Sequence, residues 1–525
     1  MPLIINRLWN FNSDAYHFQI PKEFSELERI QFIPTAFSGA IPLLLHVTYT
    51  IAYALGGEPA LTGWTLSSGW FASILFFLLL KRWLTWPWAL ATALIFQTLP
   101  AMTFGAGSGQ VEARLAAFAM IAVIGFIDIA DGKNTRPIIL SGVGAGFFMA
   151  AKLSGVFFVA ALAVGVAIRT KNLRLAAMFL AIACIVGGQW YVWNFIHTGD
   201  PFFPFLFKYA QSLNIANLDY WDSNHLSSLT SSIETRRQGV GVNRLWFTYP
   251  IEATFWPLPS IQSGRVGLGP YYFFLLPLAL YGVWVGRSRI ISSKFCILFF
   301  SILIFYGLVM SFGSIPKVRH FLPIIPVVML CMTISSLSVS SKELRLVLWG
   351  AVFLTLILNL SVQFLYSLPY LKHHVTRQSK SDLLKQNLVA YPAVMEVNSR
   401  KDIDYLFLWD RQLRYHINAR TFFAAPNDQA LIESRTGFVE ATNFYNQLVK
   451  QNITHLLLRT AMGKIPNSVS SSALLLEQRG CLNLQARIDY DRFASRTLKN
   501  ERPSRMSLDL WSLDHNCDPS NLKHQ

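Results

Sequence analysis

The sequence predicts a mainly α-helical, polytopic transmembrane bundle followed by a small C-terminal α/β soluble domain. Three observations predict it. Of 525 residues 53% are hydrophobic and 14% charged, with mean hydropathy +0.37, too apolar for a soluble protein of this length. Apolar stretches recur at the length needed to cross a bilayer, about 20 residues per helix. After Ser367 the pattern changes to short β-rich and helical runs separated by charged residues.

Ten stretches read as spans: 60–80, 87–104, 113–129, 137–151, 155–168, 175–195, 271–285, 295–312, 321–337 and 346–365. A further segment, 37–55, is interrupted by Pro42, His46 and several Thr and Tyr, and reads either as an interfacial helix or as an eleventh span. The resulting division is a transmembrane domain over 1–367, with external loops 1–36 and 197–270, and a soluble extracytoplasmic α/β domain over 368–525. In the latter, strands are expected near 403–408, 454–459, 481–488 and 506–513, with helices near 428–435 and 438–451.

Loop charge sets the expected orientation. Lys81 and Arg82, Lys133 and Arg136, Arg169, Lys171 and Arg174, Arg287, Arg289 and Lys294, and Lys342 and Arg345 fall in alternate loops, which the positive-inside rule makes cytoplasmic. The other set is then outside: 105–112, the Lys152 junction, 197–270, 313–320, everything after Ser367 and, unless 37–55 is a span, the N-terminal segment 1–31. The protein is thus expected in the cell (inner) membrane. Met1 to Asn10 has neither the charged start nor the apolar core of a signal peptide, and an external N-terminus needs a leading helix, so a first transmembrane helix is expected to precede Met1.

The formal net charge of +16 does not indicate nucleic acid, because the basic residues punctuate spans and form no stripe with aromatic residues. Nucleotide chemistry is likewise unsupported: the chain has no Walker-type loop, no dinucleotide fingerprint and no His-Glu-x-x-His. Cys184, Cys296 and Cys331 sit inside apolar stretches as small hydrophobes; Cys481 and Cys517 are either free or, in a domain that faces an oxidising compartment, able to form a disulfide.

Candidate functional residues are the ionisable groups of the outer set. Asp14 in the N-terminal loop is either a helix N-cap or solvated acid, or a catalytic base; His17 beside it is a packing residue or a ligand. Glu112 opens an apolar helix, where a carboxylate is favoured by the helix dipole, with Arg114 a possible partner, or is kept for function. Lys152 joins two apolar segments with no polar loop around it, and either snorkels or binds an anion. Lys317 and Arg319 depart from the charge rule at the mouth of a span; they anchor lipid head groups or hold phosphate, for which the planar guanidinium is suited.

In order along the chain, these segments resemble the GT-C superfamily of membrane glycosyltransferases, in particular the bacterial aminoarabinose and protein O-mannosyl transferases. The residues that carry the resemblance are Ser13-Asp-Ala-Tyr-His-Phe with the Pro-containing segment 37–55, the acid Glu112 at a later helix start, the Gly-rich helix 142–152 ending in Lys, the Trp-Tyr-x-x-Asn and Thr-Gly-Asp-Pro-x-x-Pro-Phe segment within 190–205, and the Arg-aromatic-Leu-Pro-x-x-Pro-like segment 319–326, here Arg-His-Phe-Leu-Pro-Ile-Ile-Pro. Departures are the missing first helix, Glu112 where many relatives carry Asp, Asp200 where the pattern has Asn, and Trp193 where many carry Arg.

The resemblance implies transfer of a sugar from a polyprenyl-phosphate donor to a hydroxyl acceptor (glycan, lipid or protein) at the outer face, with inversion. It implies Asp14 and Glu112 as catalytic residues and Lys152, Lys317 and Arg319 as donor phosphate ligands. Glu112 would orient a partner of Asp14, hold the acceptor, or bind a divalent cation with His17. The rival readings are a transporter or flippase of a lipid-linked substrate, whose charges would lie near the bilayer midplane, and an O-antigen ligase or polymerase-like enzyme.

Overall fold

Each of the ten apolar stretches falls on helix in the computed structural model, which describes residues 16–33, 37–129, 135–221, 223–255, 261, 267–285, 294–313, 315–338, 341–388, 390–424, 429, 431–433, 440–460, 468–492 and 504–520. Among the described residues, three helices are long and apolar enough to cross a membrane: Leu44–Leu80, Phe295–Phe312 and Lys342–Leu365. Two bent pairs raise the number to five if each is one span. Four shorter apolar helices, Arg136–Ala151, Gly155–Thr170, Tyr271–Val285 and Ile325–Leu337, lie beside them, as does Glu112–Asp128. At 1.5 Å per residue a helix of this shorter kind reaches about 20–25 Å, less than the ~30 Å hydrocarbon core.

The breaks have chemical causes. The stretch expected as one span over 87–104 is divided into Trp86–Thr98 and Pro100–Gly107, bent by 61°. Pro100 lacks the N–H that would continue the ladder, and Leu99 before it is extended, at φ −53 and ψ 133. The stretch 175–195 is bent by 59° between Leu173–Gly187 and Gln189–Thr198, at the pair Gly187-Gly188. Segments 37–55 and 60–80 run into one another as Leu44–Leu80, interrupted at Gly56 and at Gly57, whose φ of +61 only glycine adopts without strain.

The chain divides into two units. The helical unit comprises Ile41–Ile196 and Thr230–Leu371. Its pattern of one buried face and one apolar exposed face is that of a bundle in lipid: Leu55, Ile185, Trp284 and Leu346 are all more than 70% exposed. Helices Glu112–Asp128 and Arg136–Ala151 run antiparallel and approach at glycines. A Cβ at Gly144 would lie 2.5 Å from the amide nitrogen of Ala122 and 2.9 Å from the carbonyl of Phe118, backbone atoms that cannot yield. Gly144→Val is expected to lower stability by about 1–3 kcal/mol, read as an earlier thermal transition in detergent. An unchanged transition would show that these helices do not need this contact.

The α/β unit takes the described residues of Trp9–Ala40, His197–Leu229 and Lys372–Gln525. Its five-stranded sheet has the order β2-β1-β3-β5-β4, with β1 Tyr405–Leu408, β2 Arg420–Phe423, β3 His455–Thr460, β4 Leu482–Arg492 and β5 Ser504–Leu513. The first three pair in parallel and β4 and β5 antiparallel. Helices Ala441–Lys450 and Ser468–Gln478 cover one face through Phe444, Leu448, Ala473 and Leu476, against Leu456, Leu458 and Trp511.

Four strands and the 441–450 helix lie where the sequence placed them; β2 and the Ser-rich helix 468–478 are additions. The helix expected over 428–435 is not found among its described residues, Gln429 and 431–433, where the Gln429 side chain instead braces a loop, donating to Ile432 O at 2.7 Å and accepting from Ile432 N at 2.8 Å. Cys481 and Cys517 are disulfide-bonded. A cross-link of 36-residue separation contributes about 4 kcal/mol in the chain-entropy account.

Candidate anion site at the start of helix 112–128

Three of the ionisable groups singled out in the sequence meet in the helical unit. Glu112 is the first residue of Glu112–Asp128 and is 3% exposed. Lys152 Nζ donates to Glu112 Oε1 at 2.7 Å, and Arg319 Nε lies 3.3 Å from the same oxygen. The other carboxylate oxygen, Oε2, is buried with no hydrogen-bond partner among the described residues. One carboxylate therefore faces two cations, and the cluster keeps net positive charge.

Each group is delivered by local structure. Antiparallel packing places the end of Arg136–Ala151 beside the start of Glu112–Asp128, and Lys152 follows as an extended C-cap, φ −161 and ψ 140. The turn is closed by Gly155 N donating to Lys152 O at 2.8 Å, so the next helix starts at once and no polar loop draws the lysine away. Arg319 lies in the 3-10 turn Val318–Phe321, between Pro316 and Pro323. That turn is pinned by Tyr249 Oη donating to Pro316 O at 2.8 Å, by Val318 N donating to Ile261 O at 3.1 Å, and by Phe321 edge-on to Tyr249. Arg319 is 6% exposed.

His320, which sequence reasoning passed over, belongs to the same cluster. Desolvation, and then the charges of Lys152 and Arg319, hold its imidazole well below the ordinary histidine value, so it is neutral at pH 7. Its position next to Arg319 in the 319–326 motif was the available signal. Lys317 is in the same turn, half-buried.

Arg114 has a different role from the one open to it in the sequence. It is not the ion-pair partner of Glu112, because residues two apart on a helix do not face each other. Its guanidinium donates to the carbonyls of Gly105 (3.2 Å), Ala106 (3.1 Å), Gln110 (2.5 Å) and Thr65, and to Ser68 Oγ (2.8 Å). It thereby ties the turn before Glu112 to Leu44–Leu80. A cavity of about 590 Å³ opens beside it, lined chiefly by apolar groups including Leu45, Trp64, Phe71, Phe118 and Phe147.

The opposite end of Glu112–Asp128, about 25 Å away along the axis, collects a second set of charges. Arg82 Nη1 donates to Asp128 Oδ1 at 2.6 Å, and Arg169 Nε donates to Ile129 O at 3.0 Å. Arg82 and Arg169 come from the loops assigned to one side by charge counting, whereas Lys152 and Arg319 come from the other set.

His17 belongs to the α/β unit, 2% exposed, with its ring 3.9 Å from that of Tyr16. Asp14 lies outside the described residues. Asp200, in the segment where the family pattern has Asn, is fully buried and accepts from Phe202 N at 2.7 Å and Leu206 N at 2.9 Å, one oxygen to each. It holds a turn, and an Asn would offer an N–H₂ where one of those donors needs an acceptor. As for a metal, no group of three His, Cys, Asp or Glu side chains able to hold an ion occurs among the described residues, and the Glu112 carboxylate has cations for neighbours, which does not suit a divalent ion.

The fold is of the kind seen in the solved ArnT structures. The chain is similar to ArnT from Cupriavidus metallidurans bound to undecaprenyl phosphate, with TM-score 0.56 and 12% identity over 97% of this chain and 95% of that one. It is also similar to the apo state of that ArnT, with TM-score 0.52 and 12% identity over 95% and 93% of the two chains. The Archaeoglobus fulgidus oligosaccharyltransferase in its apo form gives TM-score 0.49 and 14% identity over 86% and 66%. No protein-family model and no curated protein matches the sequence.

Proposed function

We propose that the protein is an integral membrane glycosyltransferase that moves a sugar from a polyprenyl-phosphate donor to a hydroxyl acceptor at the outer face of the membrane, with inversion. The observation that carries this reading is the Glu112–Lys152–Arg319 cluster, with Glu112 and Arg319 buried, net positive and placed at a helix end in a GT-C-like fold. A substrate pathway would instead favour charges near the midplane. The likeness to an ArnT solved with undecaprenyl phosphate supports a donor of that class.

In this reading Lys152, Arg319 and Lys317 bind the donor phosphate and stabilise the charge that collects on it as the glycosidic C–O bond breaks. Glu112 fixes the buried Arg319 and the half-buried Lys152 in position. The acceptor hydroxyl attacks the anomeric carbon, its proton passes to Asp14, and polyprenyl phosphate leaves; the sugar changes hands in one step without a covalent enzyme intermediate. The apolar cavity beside Arg114 accommodates part of an isoprenoid chain. The cell-membrane location and the extracytoplasmic placement of the C-terminal region follow from loop charge, and the Cys481–Cys517 disulfide supports them, since such bonds persist in oxidising compartments.

The test is to incubate the purified full-length protein with a panel of polyprenyl-phosphate sugars and an envelope extract. The expected result is labelled sugar in an acceptor fraction and release of polyprenyl phosphate. Movement of the lipid-linked sugar across vesicles with no transfer would contradict the proposal and favour a flippase.

A further inference from the structure

The chain that leads to Arg319 is held by a pair of helices within the helical unit. They are Val242–Phe255 and the part of Ser223–Val240 from Thr230 onward. The pair meets at Gly241, whose φ of +69 is a glycine conformation. Gly241 N donates to Gln238 O at 2.8 Å on one side, and Arg244 N donates to Gly241 O at 2.9 Å on the other, so the chain passes from one helix to the next in a single step.

The first helix of the pair acts on the end of helix Lys294–Phe312. The last carbonyls of a helix have no partner within it and carry the negative end of its dipole, so a cation from another element closes them well. Arg237 is that cation: its guanidinium donates to Met310 O at 2.7 Å, to Ser311 O at 3.2 Å and to Gly313 O. Its side chain is 13% exposed, and Glu234 lies 3.6 Å from it, one turn earlier on the same helix. The second helix acts a few residues further on, where Tyr249 holds Pro316 O and its ring meets those of Phe321 and Tyr306 at 4.9 and 6.4 Å. Tyr306 Oη donates in turn to Trp246 O at 3.0 Å, which ties the second helix back to Lys294–Phe312. Arg319 follows Gly313 by six residues. Between them Pro316 has its φ fixed by its ring and Lys317 is extended, at φ −71 and ψ 146, so the exit from the helix largely decides where the guanidinium arrives.

We propose that Arg237 is a positioning residue for Arg319: by capping helix Lys294–Phe312 it fixes the point from which the chain runs to the anion site, and Tyr249 fixes the middle of that run. The proposal rests on the donor-phosphate reading of the Glu112–Lys152–Arg319 cluster and extends it to residues that do not touch the ligand. Loss of the cap leaves three carbonyls to find water, which loosens the last helical turn. A misplacement of about 1 Å at a reacting group costs on the order of 10²-fold in rate, so a small shift of this exit is enough to be felt at Arg319.

The experiment is a double-mutant cycle on the full-length protein in lipid nanodiscs, with Arg237→Gln, Arg237→Lys, Arg319→Ala and the combination of Arg237→Gln with Arg319→Ala. Binding of undecaprenyl phosphate and hydrogen exchange of residues 317–322 are measured for each. Arg237→Gln is expected to weaken binding about tenfold and to raise exchange in 317–322 about tenfold, while exchange in Glu112–Asp128 stays as in the wild type. Arg237→Lys keeps the cation without the planar fork and should recover part of both. In the Arg319→Ala background Arg237→Gln should weaken binding by less than about twofold, because an effect exerted through Arg319 disappears with it, whereas a general loss of packing would add in full. Should Arg237→Gln fail to fold, Tyr249→Phe removes one hydroxyl, keeps the ring, and is expected to shift binding the same way by about fivefold, with the same dependence on Arg319. Unchanged binding in Arg237→Gln, or an equal loss with and without Arg319, would overturn the proposal. If the wild type binds no undecaprenyl phosphate, the donor reading fails on its own; a rise in exchange at 317–322 in Arg237→Gln then still upholds the positioning of this turn, and its absence overturns it.

Discussion

Replacing Asp14 by Asn is expected to lower sugar transfer by about 10²–10⁴-fold with little change in donor KM, because a positioned general base acts on the acceptor proton in the transition state and not on donor binding. The variant keeps the size and hydrogen-bonding reach of the side chain and removes only its basicity. It is checked by initial rates at saturating and at limiting donor, at matched protein level. The split between kcat and KM separates this role from phosphate binding, which would move KM as well. Transfer that survives Asp14→Asn at the wild-type rate would remove Asp14 from the mechanism and leave the base to be found elsewhere.

Arg319→Ala is expected to produce the second large effect, about 10²–10³-fold in transfer rate, the scale on which loss of one preorganised donor to a developing oxyanion is felt. Without Arg319 the pair of Lys152 and Glu112 is left neutral, and the excess positive charge of that cluster is lost, with Lys317 alone left to add to it. Arg319→Lys restores charge without the planar fork and should recover part of the loss. Initial rates of the two variants, compared at equal protein level, check this; equal rates for Lys and Ala would show that charge at this position is not what matters.

Much of the helical unit was legible in the sequence because its solvent is lipid. A helix in hydrocarbon must be apolar around most of its circumference, so each stretch declares itself by composition alone, and all ten fall on helix. What composition does not carry is continuity: the bends at Leu99–Pro100 and at Gly187-Gly188 turn on single residues inside otherwise apolar runs. The site was half legible. Glu112, Lys152 and Arg319 stood out because isolated charges beside apolar helices are costly, and the structure joins these three.

Their pairing was not legible, since Lys152 is 40 residues from Glu112 and Arg114 only two, and sequence proximity favoured the wrong partner. Helical geometry decides otherwise, sending Arg114 to the carbonyls of the preceding turn. The make-up of the α/β unit was the least legible part. Nothing in the pattern of 16–33 announces that Phe18, Ile20 and Phe24 are buried in the same unit as the strands near residue 405, because the apolar face of an eight-residue helix is too short to say what it packs against.

Direct binding of undecaprenyl phosphate to the protein in nanodiscs tests whether the Glu112–Lys152–Arg319 cluster holds a lipid phosphate, without any need for the sugar or acceptor. Saturable binding to the wild type is expected, weaker by about tenfold or more in Arg319→Ala and in Lys152→Ala, with dolichol-like uncharged polyprenol binding the same to all three. Equal affinity for undecaprenyl phosphate in the wild type and both variants would contradict it.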